Sequence, residues 1–163
     1  MSNKLKKKLY NYKIPAYIKQ RFWKDHAQHL TKKEVDLVFD TLKDFLYLSK
    51  DNRVYLSSYI VDEAWHTFIL FTKDYFKFCN EVFGYYLHHS PSISGGYKND
   101  LKDIENTYFL MLRTLPNSKL FSLDNDLSIN GRKSKGIISF KEGNKKIKIF
   151  LNNKKIGAFS KKL

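Results

Sequence analysis

Apolar residues recur at helical spacing through most of the chain and alternate with polar ones near its end. Residues 1–8 read as a frayed basic arm, and Ile14-Pro15 opens the ordered part, because proline fits the first turn of a helix. Ala16 to His26, carrying Tyr17, Ile18, Phe22 and Trp23, predicts a short helix. Thr31-Lys32-Lys33-Glu34 has the form of a capping box, a hydroxyl N-cap with a glutamate three residues on. The helix it opens spaces Val35, Val38, Phe39, Leu42, Phe45 and Leu46 along one side and ends near Ser49, before the turn residues Lys50-Asp51-Asn52. The next helix starts at Ser57 or Ser58. Ile60, Val61, Ala64, Trp65, Phe68, Ile69 and Phe71 make it apolar almost all round, as in a helix buried on most of its surface. Thr72 is placed to cap a helix over Lys73 to Phe83, and Gly84 to stop it in the left-handed conformation. Leu101 to Leu115 predicts one more helix, stopped by Pro116.

Beyond Pro116 the period shortens. Lys119 to Leu123 is a short apolar piece of undecided type. Gly136 to Phe140, Lys145 to Leu151 and Lys154 to Phe159 alternate, with turn residues Glu142-Gly143-Asn144 and Asn152-Asn153 between them. The expected class is therefore mainly α: a compact helical domain of four or five helices with a small C-terminal antiparallel β element. The expected organisation is a basic arm at 1–13, a helical core domain at 14–130 and a Lys-rich hairpin or meander at 131–163. Phe39, Leu42, Trp65, Ile69, Tyr75, Phe78 and Phe83 are the expected core.

Composition narrows the function classes. At 163 residues and 42% hydrophobic, the chain has the material of one globular domain and is not globally disordered. One cysteine, Cys79, excludes an intrachain disulfide and an all-cysteine metal site. No apolar run follows the basic N-terminus, and Asp62, Glu63, His66 and Lys73 interrupt the longest apolar stretches. The expectation is a cytoplasmic protein with no secretory leader and no membrane span. The net charge of +14 is unevenly placed. Residues 1–30 carry eight Lys/Arg against one acid, and residues 131–163 eleven against one, while the middle is slightly acidic. Lys6, Lys7, Lys8, Arg132, Lys133, Lys145, Lys146, Lys148, Lys154 and Lys155 are thus candidates for contact with a nucleic acid or an acidic protein partner. The plainer account is a solvated Lys-rich surface, since base readout leans on arginine and this chain has few.

Acid-base and metal-capable groups concentrate between 62 and 89: Asp62, Glu63, His66, Cys79, His88 and His89. Asp62 and His66 are four apart on one helix and share a face, which suits a carboxylate orienting an imidazole or two ligands of one ion. If the helices on either side of Thr72 run antiparallel, His66 and Cys79 lie at similar depth, and a turn at Gly84 returns His88 and His89 toward them. Imidazole plus thiolate favours zinc, and the addition of Asp62 leaves iron open. Against this stand a core histidine satisfied by Asp62 and a cysteine acting as a small apolar group. No HExxH, paired CxxC or EF-hand pattern is present. Cys79 with a histidine as a nucleophile pair, and Ser94-Gly95-Gly96 as an anion loop, are weaker signals; His26 and His29 read as surface residues.

The run Val61-Asp62-Glu63-Ala64-Trp65-His66, followed by Phe68-Ile69-Leu70, Thr72, Tyr75, Phe78-Cys79, Phe83-Gly84, Leu87-His88-His89 and Pro91, resembles a group of largely uncharacterised bacterial proteins. Their core is similar to one in glycine-rich domain-containing-like proteins, although this chain has no glycine-rich segment. The resemblance spans roughly 14 to 130 and implies a small, mainly helical cytoplasmic protein without implying a reaction. It draws attention to Asp62, His66, Cys79, His88 and His89, the motif members that packing alone needs least. Three readings follow: a polar pocket holding zinc or iron, a polyanion-binding module built on the basic ends, and a helical adaptor without catalytic chemistry.

Overall fold

The computed structural model describes residues 3–52, 54–55, 58–89 and 97–123, together with the backbone of three later strands; of residues 97–101 it describes the backbone only. Six α-helices are present among the described residues: α1 (Asn3–Asn11), α2 (Ala16–His26), α3 (Lys32–Ser49), α4 (Tyr59–Leu70), α5 (Thr72–Val82) and α6 (Tyr97–Thr114). The protein is mainly helical on these elements alone. The chain divides into two compact units, Met1–Asn52 with Ile60–Pro91, and Arg53–Tyr59 with Ser92–Leu163.

In the first unit, α1 and α2 pack on α3, and α1 also meets α5. Thr31 builds the expected capping box: its hydroxyl accepts the Glu34 N–H at 3.4 Å, and the Glu34 carboxylate accepts the Thr31 N–H at 2.7 Å. The core is aromatic and runs through all five helices. Phe22 stands edge-on to Phe39, Phe45 meets Trp65, and Phe68 meets both Tyr75 and Phe78, with ring centres 5.2–5.4 Å apart. Phe39, Leu42, Trp65, Tyr75 and Phe78 are buried as expected, whereas Ile69 and Phe83 are only half-buried.

Two local expectations need correction. The N-terminal segment is a helix rather than a frayed arm. Leu5 and Leu9 share a face four residues apart, Leu9 is fully buried, and the Tyr10 hydroxyl donates to the Asp44 carboxylate. Lysines fasten this helix too: Lys8 Nζ donates to the Glu81 carbonyl at 3.3 Å, and Lys6 Nζ lies 5.9 Å from the centre of the Tyr47 ring. This helix takes the total beyond the four or five expected. The second correction concerns Thr72, which is the first residue of α5 rather than its cap. Phe71 occupies the cap position, where its carbonyl accepts the Tyr75 N–H at 2.9 Å and its apolar side chain makes no cap bond.

α5 ends as expected. Gly84 adopts φ 81°, and its N–H reaches the Cys79 and Asn80 carbonyls at 3.1 Å. A left-handed glycine closes the helix and redirects residues 85–89 along the unit.

In the second unit, α6 buries Ile104, Tyr108 and Met111. The undecided piece after Pro116 is a helical turn, with the Ser122 and Leu123 N–H groups on the Lys119 carbonyl, and it buries Leu120 and Leu123. The Tyr108 and Phe121 rings stand 5.3 Å apart. Downstream, the backbone of β1 (Ile138–Glu142), β2 (Lys146–Leu151) and β3 (Lys154–Ser160) pairs antiparallel in the order β1-β2-β3. Lys141 stands opposite Lys148, Lys148 opposite Ala158, and a register shift falls at Ile149/Phe150. Among the described residues, no helix is long and apolar enough to cross a membrane.

Candidate metal centre

The candidate chemistry gathers along one face of α4. Asp62 and His66 are one turn apart, so the helix sets both side chains on one face. His89 arrives from the segment that Gly84 sends back. The Asp62 carboxylate is then flanked by two imidazoles, one per oxygen: His89 Nε2 lies 3.0 Å from Oδ1 and His66 Nδ1 lies 3.8 Å from Oδ2. One ligand-capable atom from each residue lies within 4.8 Å of the other two. The His66 and His89 rings are 4.6 Å apart, and His89 also rests against Trp65 with ring centres at 4.3 Å.

Exposure is graded across the three side chains: 15% for His89, 34% for Asp62 and 46% for His66. The inner donor is held by packing, and the outer donor meets solvent. Four-coordinate zinc at about 2.0–2.1 Å from its ligands places donor atoms roughly 3–3.5 Å apart. The Asp62–His89 pair is at that separation, and the Asp62–His66 pair is somewhat wider at 3.8 Å.

The other two expected ligands lie elsewhere. Cys79 is buried on α5, one turn on from Tyr75. Burial pushes the Cys79 thiol above its ordinary pKa, and the polar Leu87 backbone and Tyr75 side chain offset this only in part. A thiol so placed behaves as a core group, so the antiparallel helix pair does not set Cys79 against His66 as the spacing alone suggests. His88 is exposed and turns its ring to Tyr86, 4.8 Å away. Consecutive residues in a non-helical segment point apart, which is why one of the two histidines joins Asp62 and its neighbour does not. Glu63 faces the other way along α4 and pairs with His26 Nδ1 at 3.4 Å. Nothing in the spacing signals that pair, because α2 and α4 are far apart in sequence.

The basic candidates divide as well. Lys6, Lys7 and Lys8 lie on α1, where Lys6 and Lys8 help fasten the helix. Lys146 and Lys148 belong to β2, Lys154 and Lys155 to β3, and Arg132, Lys133 and Lys145 lie outside the described residues, as does the Ser94-Gly95-Gly96 loop.

A helix bearing a carboxylate and an imidazole, met by a second imidazole from the segment after α5, defines a small helical protein with a metal-capable cluster. The chain belongs to the UCP032817-like family, whose match runs over residues 4–133. The matched span takes in α1 to α6 and ends before β1. No curated protein and no solved structure matches the chain.

Proposed function

We propose that the α4 site binds one divalent transition-metal ion through Asp62, His66 and His89. The observation that carries this reading is the double use of the Asp62 carboxylate, with an imidazole nitrogen at each oxygen. A lone ion pair satisfies one histidine. Two histidines brought to one carboxylate from 23 residues apart, with ligand atoms within 4.8 Å, form a tridentate donor set. Two imidazoles and a carboxylate suit zinc with a fourth position left to water, or iron(II) with more open positions. Dropping the thiolate from the ligand set removes the preference for zinc over iron. The exposed side of His66 leaves the open positions facing solvent, where a small anionic or carbonyl ligand can approach the ion.

Metal content of the tag-free protein, with titration by Zn²⁺ and anaerobic Fe²⁺, tests this. One ion per chain is expected. Its loss in His66→Ala and His89→Ala, and its retention in His88→Ala, identify the ligands. Binding also stabilises the fold by about 2.7 kcal/mol at a free ion concentration one hundred times Kd. Substoichiometric metal, unchanged in His66→Ala, refutes the reading.

A further inference from the structure

Resting on that reading, we propose that Tyr75 is a positioning residue of the metal site: through the Leu87 peptide it sets where His89 stands. Tyr75 is fully buried on α5 and belongs to no ligand set. Its hydroxyl accepts the Trp65 indole N–H at 3.0 Å and donates to the Leu87 carbonyl at 2.7 Å. The peptide carbonyl two residues before His89 is therefore gripped from α5. Trp65 closes the loop: its N–H orients the Tyr75 hydroxyl, and its ring lies against the His89 ring at 4.3 Å.

The arrangement gives the Tyr75 hydroxyl a task that packing does not require. A phenylalanine fills the Tyr75 site equally well, since that ring is already surrounded by Phe68, Phe78 and Tyr86. Removing the hydroxyl leaves a buried indole N–H and a peptide carbonyl without their partner. The segment carrying His89 then loses its fixed distance from α4, and a chelating set depends on that distance. Residues that orient metal ligands change affinity by roughly 10–100-fold when substituted.

The test uses the full-length chain with Co²⁺ as a spectroscopic probe. Tyr75→Phe is expected to weaken Co²⁺ binding by about tenfold or more and to change the ligand-field bands of the bound ion, with helicity retained. Phe68→Leu perturbs the same core without touching the hydrogen bonds and is expected to keep both the affinity and the spectrum. Trp65→Phe keeps a ring beside His89 but removes the indole N–H, and it is expected to shift affinity in the same direction by less. In metal-free protein, the His89 ring protons, shielded by the Trp65 indole, are expected to move toward free-histidine shifts in Tyr75→Phe. Wild-type protein that binds no Co²⁺ overturns the metal reading, and the proton shifts then decide whether Tyr75 places His89. Wild-type binding with unchanged affinity and bands in Tyr75→Phe overturns the positioning role and leaves the metal reading standing. Equal losses in Tyr75→Phe and Phe68→Leu also overturn it, since core damage alone then explains both.

Discussion

Gly84→Ala separates backbone geometry from packing, because the two predict opposite signs. A Cβ built on Gly84 meets nothing within 4 Å, so no steric clash enters. At a position with negative φ, the same change stabilises a protein by about 0.4–1 kcal/mol through the unfolded chain. At φ 81°, alanine instead pays the left-handed strain of about 1–2 kcal/mol. Subtracting the unfolded-state gain leaves a net destabilisation of about 1 kcal/mol. Urea denaturation followed by helical ellipticity at 222 nm measures it, with the slope expected unchanged. Gly84→Asn is the companion variant, because asparagine tolerates this conformation, and it is expected to lose less than alanine. An alanine variant more stable than wild type refutes the assigned turn, and with it the route by which residues 85–89 return to α4.

Two further outcomes are expected. Leu9→Ala removes a fully buried side chain from α1 and should cost about 2–5 kcal/mol by urea denaturation; a cost near zero would restore the frayed-arm reading of the N-terminus. Cys79 should react slowly with a small alkylating reagent in the folded protein at pH 8, because burial raises its pKa and keeps the reactive thiolate scarce. Raising the pH toward the elevated value should speed labelling, and labelling at the rate of a free thiol at pH 8 contradicts the placement.

The helices were legible where a local rule governs them. The Thr31–Glu34 box, the span from Ala16 to His26 and the left-handed Gly84 each depend on residues within one turn of each other. α1 was less legible because its apolar contribution is two leucines among lysines, and burial of Leu9 comes from partners on distant helices. At the site, Asp62 and His66 follow from helical spacing, and His89 follows from the turn at Gly84. The distinction between His88 and His89, and between a ligand and a core thiol at 79, turns on which way single side chains point. That orientation depends on tertiary surroundings, Trp65 beside His89 and the buried core around Cys79, and residue spacing carries no trace of them.

The Leu87 carbonyl, held by the buried Tyr75 hydroxyl, ties the interior of the bundle to the segment that carries His89. On the proposed reading, substitutions at positions 65 and 75, neither of them a donor to the ion, are expected to act as tuning points for its affinity. A search for variants with altered ion preference belongs as much among these hidden side chains as among the exposed ones around His66.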